Sequence, residues 1–217
     1  MKRFVTLILF AFFIWGGHAQ ERKHSHFYEQ RSSLFEKLPI TRKDIVFVGN
    51  SITNGAEWSE LFRNKRLKNR GISGDISEGV YDRLDYIVQA KPAKIFLMIG
   101  VNDIARGVET ATTVSNMRKI IEKIQQTTPK TKIYLQSVLP VNADFGMFKG
   151  HMKPELIKEI NLQYKALAQE YKITYIDLYS HFVEKGTDKM QPKYTNDGLH
   201  LMGEGYLLWR DIMLPYL

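Results

Sequence analysis

The run Ile95-Phe96-Leu97-Met98-Ile99 is apolar without interruption and ends in Gly100. A strand with one face in water alternates apolar and polar side chains, so an unbroken apolar strand must be covered on both faces. That is the condition of a parallel sheet sheathed by helices. Ile45 to Val48 is a second run of this kind, and weaker strands are expected at Lys68 to Ile72, at Ile133 to Leu135 with Val138-Leu139, and at Ile173 to Leu178. Between and around them, apolar residues fall at helical spacing. The sets are Phe27, Tyr28, Leu34, Phe35 and Leu38; Val80, Leu84, Ile87 and Val88; Val114, Met117, Ile121 and Ile124, closed by Pro129; and Ile157, Ile160, Tyr164, Leu167 and Tyr171, opened by Pro154. A last helix is expected from Gly203 to Leu217, with Tyr206, Leu207, Ile212 and Met213 inward. Strand and helix alternating in this way predict an α/β fold, a three-layer α/β/α sandwich around a five-stranded parallel sheet.

The first nineteen residues do not fit that pattern. Lys2 and Arg3 precede an apolar stretch from Phe4 to Trp15, and Gly17-His18-Ala19 puts small residues where a signal peptidase cuts. The stretch is roughly twelve residues against the roughly twenty that span a bilayer, so residues 1–19 read as a secretory signal and 20–217 as a single domain. The chain has no cysteine, hence no disulfide and no lipid-modified amino terminus after cleavage. The expectation is an exported protein, periplasmic or extracellular, soluble and with no stable membrane anchor. Its formal net charge of +8 comes from lysines scattered over helix faces rather than clustered, which reads as a solvated exterior. Phosphate-binding glycine loops, metal-ligand spacings and basic-aromatic interleaving are missing from the sequence, so no nucleic-acid partner is expected.

In a parallel sheet every strand ends at the same edge, and ligands bind in the crevice beyond the carboxyl ends. Three glycine-punctuated segments sit there: Gly49-Asn50-Ser51, Asn69-Arg70-Gly71-Ile72-Ser73-Gly74-Asp75 and Gly100-Val101-Asn102-Asp103. A fourth, Asp197-Gly198-Leu199-His200, precedes the last helix. Singly these are ordinary turns and caps. Together they supply what ester cleavage requires. A serine hydroxyl needs a base, and the base needs a carboxylate to fix its tautomer, which gives Ser51, His200 and Asp197. The oxyanion needs donors, for which the Ser51 amide, the Gly71 amide and the Asn102 side chain are candidates. His181 is the rival base, but it has no carboxylate at a short spacing.

At these residues the chain resembles the SGNH hydrolases, the superfamily of GDSL-type esterases and lipases. Its blocks are matched by Phe47 to Gly55, Gly71 to Asp75, Gly100 to Asp103 and Asp197 to His200. The resemblance implies a flavodoxin-like SGNH fold, Ser51 as nucleophile, Gly71 and Asn102 as oxyanion donors, and His200 as base oriented by Asp197. No metal or organic cofactor is implied. One departure is Asn50, where the family most often has aspartate; it puts the hydrogen bonding of the nucleophile turn in question. The spacing Gly49-x-Ser51-x-Thr53 also separates the chain from the G-x-S-x-G elbow of α/β-hydrolases.

From Pro140 to Lys153 all periodicity is lost, which predicts a long functional loop. Phe145, Met147, Phe148 and His151 within it are candidate substrate-binding residues. The expected substrate is a small-molecule or glycan ester. Hydrolysis of O-acetyl groups on carbohydrate is the first expectation, a lysophospholipase or thioesterase acting on longer acyl chains the second. A non-catalytic glycan-binding module on the same fold is a third.

Overall fold

The computed structural model describes residues 23–217. The expected signal segment therefore lies outside the described residues. Strands β1 (Ile45–Gly49), β2 (Leu67–Gly71), β3 (Lys94–Met98), β4 (Lys132–Gln136) and β5 (Thr174–Ile176) form one sheet in the order β2-β1-β3-β4-β5, with every pairing parallel. The helices are α1 (His26–Lys37), α2 (Ser51–Asn54), α3 (Trp58–Leu61), α4 (Ser77–Asp82), α5 (Asp85–Gln89), α6 (Val101–Ala105), α7 (Thr110–Thr127), α8 (Pro154–Glu170), α9 (Tyr179–Phe182) and α10 (Gly203–Met213). This is the three-layer α/β/α sandwich that the apolar strands required. No helix among the described residues is long and apolar enough to cross a membrane.

Strand order explains where a site can form. From β1 the chain steps outward to β2, then returns to the other side of β1 and proceeds through β3, β4 and β5. The direction reverses between β1 and β3, and that reversal opens a crevice at their carboxyl ends. The register sharpens it: Gly49 pairs with Gly71 on one side and with Met98 on the other, so β1, β2 and β3 release their loops at one level.

Both sheet faces are dry. On one, Phe47, Phe96 and Tyr134 lie in register and stack across three strands, with centroids 4.9 and 4.4 Å apart. Trp58 of α3 stacks on Phe47 at 4.0 Å and meets Trp209 of α10 edge-on at 4.8 Å. On the other, Val46, Val48, Ile95, Leu97, Ile133 and Leu135 are buried, and α7 and α8 contribute Met117, Ile121, Ile124, Ile157, Ile160 and Tyr164 to the core.

Three helical expectations need correction. The period through Val80, Leu84, Ile87 and Val88 belongs to two short helices, broken where Arg83 turns its side chain inward. In α1 only Tyr28, Ser32 and Phe35 are buried, while Phe27, Leu34 and Leu38 are exposed. That helix packs on a small satellite cluster with Ile72 and Tyr86, so a narrow stripe suffices. The last helix stops at Met213 and is followed by a 3₁₀ turn, and Leu207 faces out. The expected β4 also ends early, at Gln136, leaving Val138 and Leu139 buried outside the sheet.

Candidate active site

Ser51 is the first residue of α2, directly beyond the end of β1. Asn50 caps that helix, its Oδ1 accepting from the Ile52 amide at 3.0 Å. The asparagine thus makes a carboxylate-like capping bond without the charge, which answers the question raised by the departure at this position. Tyr206 of α10 holds the turn from the other side by donating its hydroxyl to the Ile52 carbonyl at 2.9 Å. Losing the cap in Asn50→Ala is expected to cost about 1 kcal/mol in urea denaturation, whereas Asn50→Asp should retain activity, because its Oδ accepts equally well.

The Ser51 hydroxyl meets His200 Nε2 at 2.9 Å across 149 positions of sequence. His200 Nδ1 lies 2.7 Å from Asp197 Oδ2. A carboxylate can only accept, so Nδ1 carries the proton and Nε2 presents its lone pair to the serine, the tautomer a general base needs. The short loop that makes this possible is tightly specified. Asp197 Oδ1 accepts from the amides of Leu199 and His200 at 2.8 Å each. Burial pushes the Asp197 carboxyl up, but the bonds from His200 and Leu199 outweigh it and hold the group below its ordinary range, so it stays ionised. Gly198 adopts φ +83°, and a Cβ there would lie 2.1 Å from the Asn142 carbonyl oxygen, so only glycine lets the turn seat against the loop after β4. Thr195, which sequence reasoning missed, accepts from the Gly198 amide through Oγ1 at 2.9 Å; a threonine two before a turn aspartate is the signal that could have found it.

Asn102 opens the second turn of the site, in α6 after β3. Its Nδ2 donates to the Asp75 carbonyl at 2.8 Å, and its Oδ1 lies 2.9 Å from His151 Nε2. One amide hydrogen remains unspent. The neighbouring Asp103 is buried and accepts from both the amide and the hydroxyl of Ser77, which clasps α6 to α4. Burial raises its carboxyl to about 6, against the pull of the Ser77 bonds.

Gly71 requires a correction. Its amide donates to Asn69 Oδ1 at 2.9 Å and so is not free to meet an oxyanion. Glycine is needed there for space, since a Cβ would lie 2.3 Å from the Asn54 nitrogen. Three residues on, Gly74 sits at φ +77°, its carbonyl takes Arg106 Nη2 at 2.6 Å, and its amide has no acceptor among the described residues. It adjoins Asp75, the partner of Asn102. The free backbone donor of this segment is therefore Gly74.

Of the loop candidates, Phe148 packs edge-on against His200, centroids 5.2 Å apart, and against His151 at 5.8 Å. Phe145 lies in a separate 3₁₀ turn, and Met147 is half exposed beside Phe148. His151 is part-buried and reaches Asn102. His181 lies in α9, after β5, where its carbonyl accepts from Gln191 Nε2 at 3.4 Å.

Residues 47–208 match the model of the GDSL-like lipase/acylhydrolase family. The chain belongs to that family. It is accordingly an ester hydrolase of the GDSL type, which removes the non-catalytic reading. Among curated relatives it is 25% identical to the platelet-activating factor acetylhydrolase IB subunit alpha1 of Bos taurus, over 80% of this chain and 76% of that one. Among solved structures, a Streptococcus pneumonia protein described as a platelet activating factor is 28% identical with a TM-score of 0.80, covering 88% of this chain and 92% of that one. A GDSL-like lipase from Bacteroides thetaiotaomicron is 27% identical with a TM-score of 0.75, covering 87% and 96%. These two solved structures share the α/β fold described above.

Proposed function

We propose that this GDSL hydrolase is an exported serine O-acetylesterase acting on acetylated carbohydrate. The observation that carries the chemistry is the unbroken relay from Ser51 Oγ to His200 Nε2 and from His200 Nδ1 to Asp197, at 2.9 and 2.7 Å. His200 takes the serine proton as Oγ attacks the ester carbonyl, and the tetrahedral oxyanion is held by the free amides of Ser51 and Gly74 and by the Asn102 side chain. His200 then protonates the departing alcohol, leaving an acyl-enzyme on Ser51. In the second half-reaction it deprotonates water, which releases the acid and restores the hydroxyl.

The acetyl assignment is supported by the acetylhydrolase names of the curated relatives. The carbohydrate assignment is supported by the ring of Phe148, 38% exposed beside the base, which offers a sugar a flat apolar surface. Export rests on the leader-like residues 1–19. A second reading has its own observation: Met147, Phe148 and Met202 are all substantially exposed, within or near the segments that carry the site, and would suit a longer acyl chain. Rates on p-nitrophenyl acetate and octanoate, followed by acetate release from acetylated xylo-oligosaccharide, separate the two. The acetyl reading expects kcat/KM on acetate to exceed that on octanoate by about tenfold or more, since a site shaped for an acetyl group gains nothing from added methylenes. An octanoate preference overturns it.

A further inference from the structure

The amide of Asn102 has one acceptor and two donors, and the structure commits two of the three. Nδ2 faces the Asp75 carbonyl at 2.8 Å, a group that can only accept, so the nitrogen must lie on that side. Oδ1 is thereby turned toward His151, and at 2.9 Å only an Nε2–H can complete the pair. What is left is a single amide hydrogen, the one available to an oxyanion. With one anchor alone, the soft χ2 torsion of an asparagine would let that hydrogen wander.

His151 is itself seated firmly enough to serve as the second anchor. It closes the 3₁₀ turn Lys149–His151, with its amide bonded to the Phe148 carbonyl at 2.8 Å. Gly150 lies against α6, where a Cβ would meet the Ala105 carbonyl oxygen at 3.4 Å, and Lys153 Nζ donates to the Ile104 carbonyl at 3.4 Å. The turn is thus docked on the same helix that carries Asn102. Partial burial lowers the basicity of the His151 ring and the nearby His200 lowers it further, while the Phe148 backbone pulls the other way; the net direction favours the neutral imidazole. A neutral donor can orient the amide without placing a second cation beside the base.

We propose that His151 is a positioning residue for the oxyanion amide, its Nε2–H fixing Asn102 Oδ1 so that the spare amide hydrogen is held toward the reacting carbonyl. The role rests on the serine-esterase reading above, and it differs from that of a substrate-binding wall. The test is a kinetic cycle on p-nitrophenyl acetate with the wild-type protein, His151→Ala, His151→Gln, Asn102→Ala and the double variant His151→Ala/Asn102→Ala.

Asn102→Ala should lose about 10²–10³ in kcat, the range for one oxyanion donor. His151→Ala should lose about tenfold in kcat with KM nearly unchanged, the worth of one orienting hydrogen bond. His151→Gln, whose amide nitrogen can donate from a similar reach, should recover most of that loss. In the Asn102→Ala background the His151→Ala change should cost less than about twofold, because nothing remains to be oriented. A rise in KM with kcat preserved overturns the proposal in favour of a substrate contact, and a full further tenfold loss in the double variant overturns it in favour of a general structural role. Should His151→Ala fail to fold, His151→Gln against the accept-only His151→Glu carries the same comparison, and equal activity of the two overturns it. A wild-type protein without turnover on any ester would instead remove the esterase reading on which the role depends.

Discussion

Ser51→Ala is expected to lower kcat on p-nitrophenyl acetate by on the order of 10⁴ to 10⁶, leaving only what the oxyanion donors achieve without a nucleophile. The fold should be indifferent to the change. The hydroxyl makes its one hydrogen bond to His200, and the residue is only part-buried, so alanine leaves no unpaired core atom. Circular dichroism melting should therefore give a nearly unchanged Tm, and a fluorophosphonate probe that labels the wild-type protein should fail to label the variant. Retention of turnover within tenfold of wild type would remove Ser51 from the mechanism. His200→Ala should behave alike, because a serine without its base is as poor a nucleophile as no serine.

Arg83→Ala is expected to be strongly destabilising, at about 3–5 kcal/mol by urea denaturation followed by circular dichroism. Arg83 Nε donates to Asp75 Oδ2 at 2.8 Å with both side chains only 1% exposed, and Nη2 donates to the Gly49 carbonyl at 3.1 Å. Removing the guanidinium strands a carboxylate in the interior. It also takes away one of the two hydrogen bonds on the Gly49 carbonyl, the other being that from the Ile72 amide, one step before the Ser51 turn. The Arg118–Glu170 pair offers the contrast, since it lies open to water, where screening and side-chain entropy leave little net gain. Removing both partners of the buried pair should cost less than removing Arg83 alone, because no orphaned charge remains. A loss below about 1 kcal/mol for Arg83→Ala would mean that water reaches Asp75 and the pair is not the clasp the geometry describes.

The elements that sequence made legible are those whose signal is local. The apolar run at Ile95 to Ile99 could be only a strand covered on both faces, and the helical period in 110–127 and 154–170 matched the buried faces of α7 and α8. The meeting of Ser51, His200 and Asp197 was legible for a chemical reason: a serine at a strand end has few joint uses with a later histidine and aspartate other than as their partner, and the Asp-Gly-x-His spacing fits a single tight turn. Gly71 and Gly74 show where such reading stops. Both are glycines of one short segment, and which amide is free depends on Asn69 folding back onto Gly71, a contact that no periodicity encodes. The break between α4 and α5 was hidden similarly, because Arg83 continues a helical period in sequence while its side chain is committed to Asp75. In the loop after β4, loss of pattern predicted a loop and gave none of its geometry. Neither the left-handed Phe148, at φ +50°, nor the reach of His151 to Asn102 has a sequence signature.

The aromatic face of the sheet has a practical consequence. Beyond Trp15, the chain's tryptophans are Trp58 and Trp209, both sealed from water and in ring contact. Trp58 donates its indole hydrogen to the Thr53 carbonyl within the nucleophile helix, and Trp209 donates to Gln136 at the end of β4. A protein beginning at residue 20 therefore carries two built-in fluorophores, one tethered to the turn that bears the nucleophile and the other to the closing helix. Their emission should be blue-shifted in the native state, and its reddening on denaturation would follow the undocking of α10 from the sheet beneath Ser51.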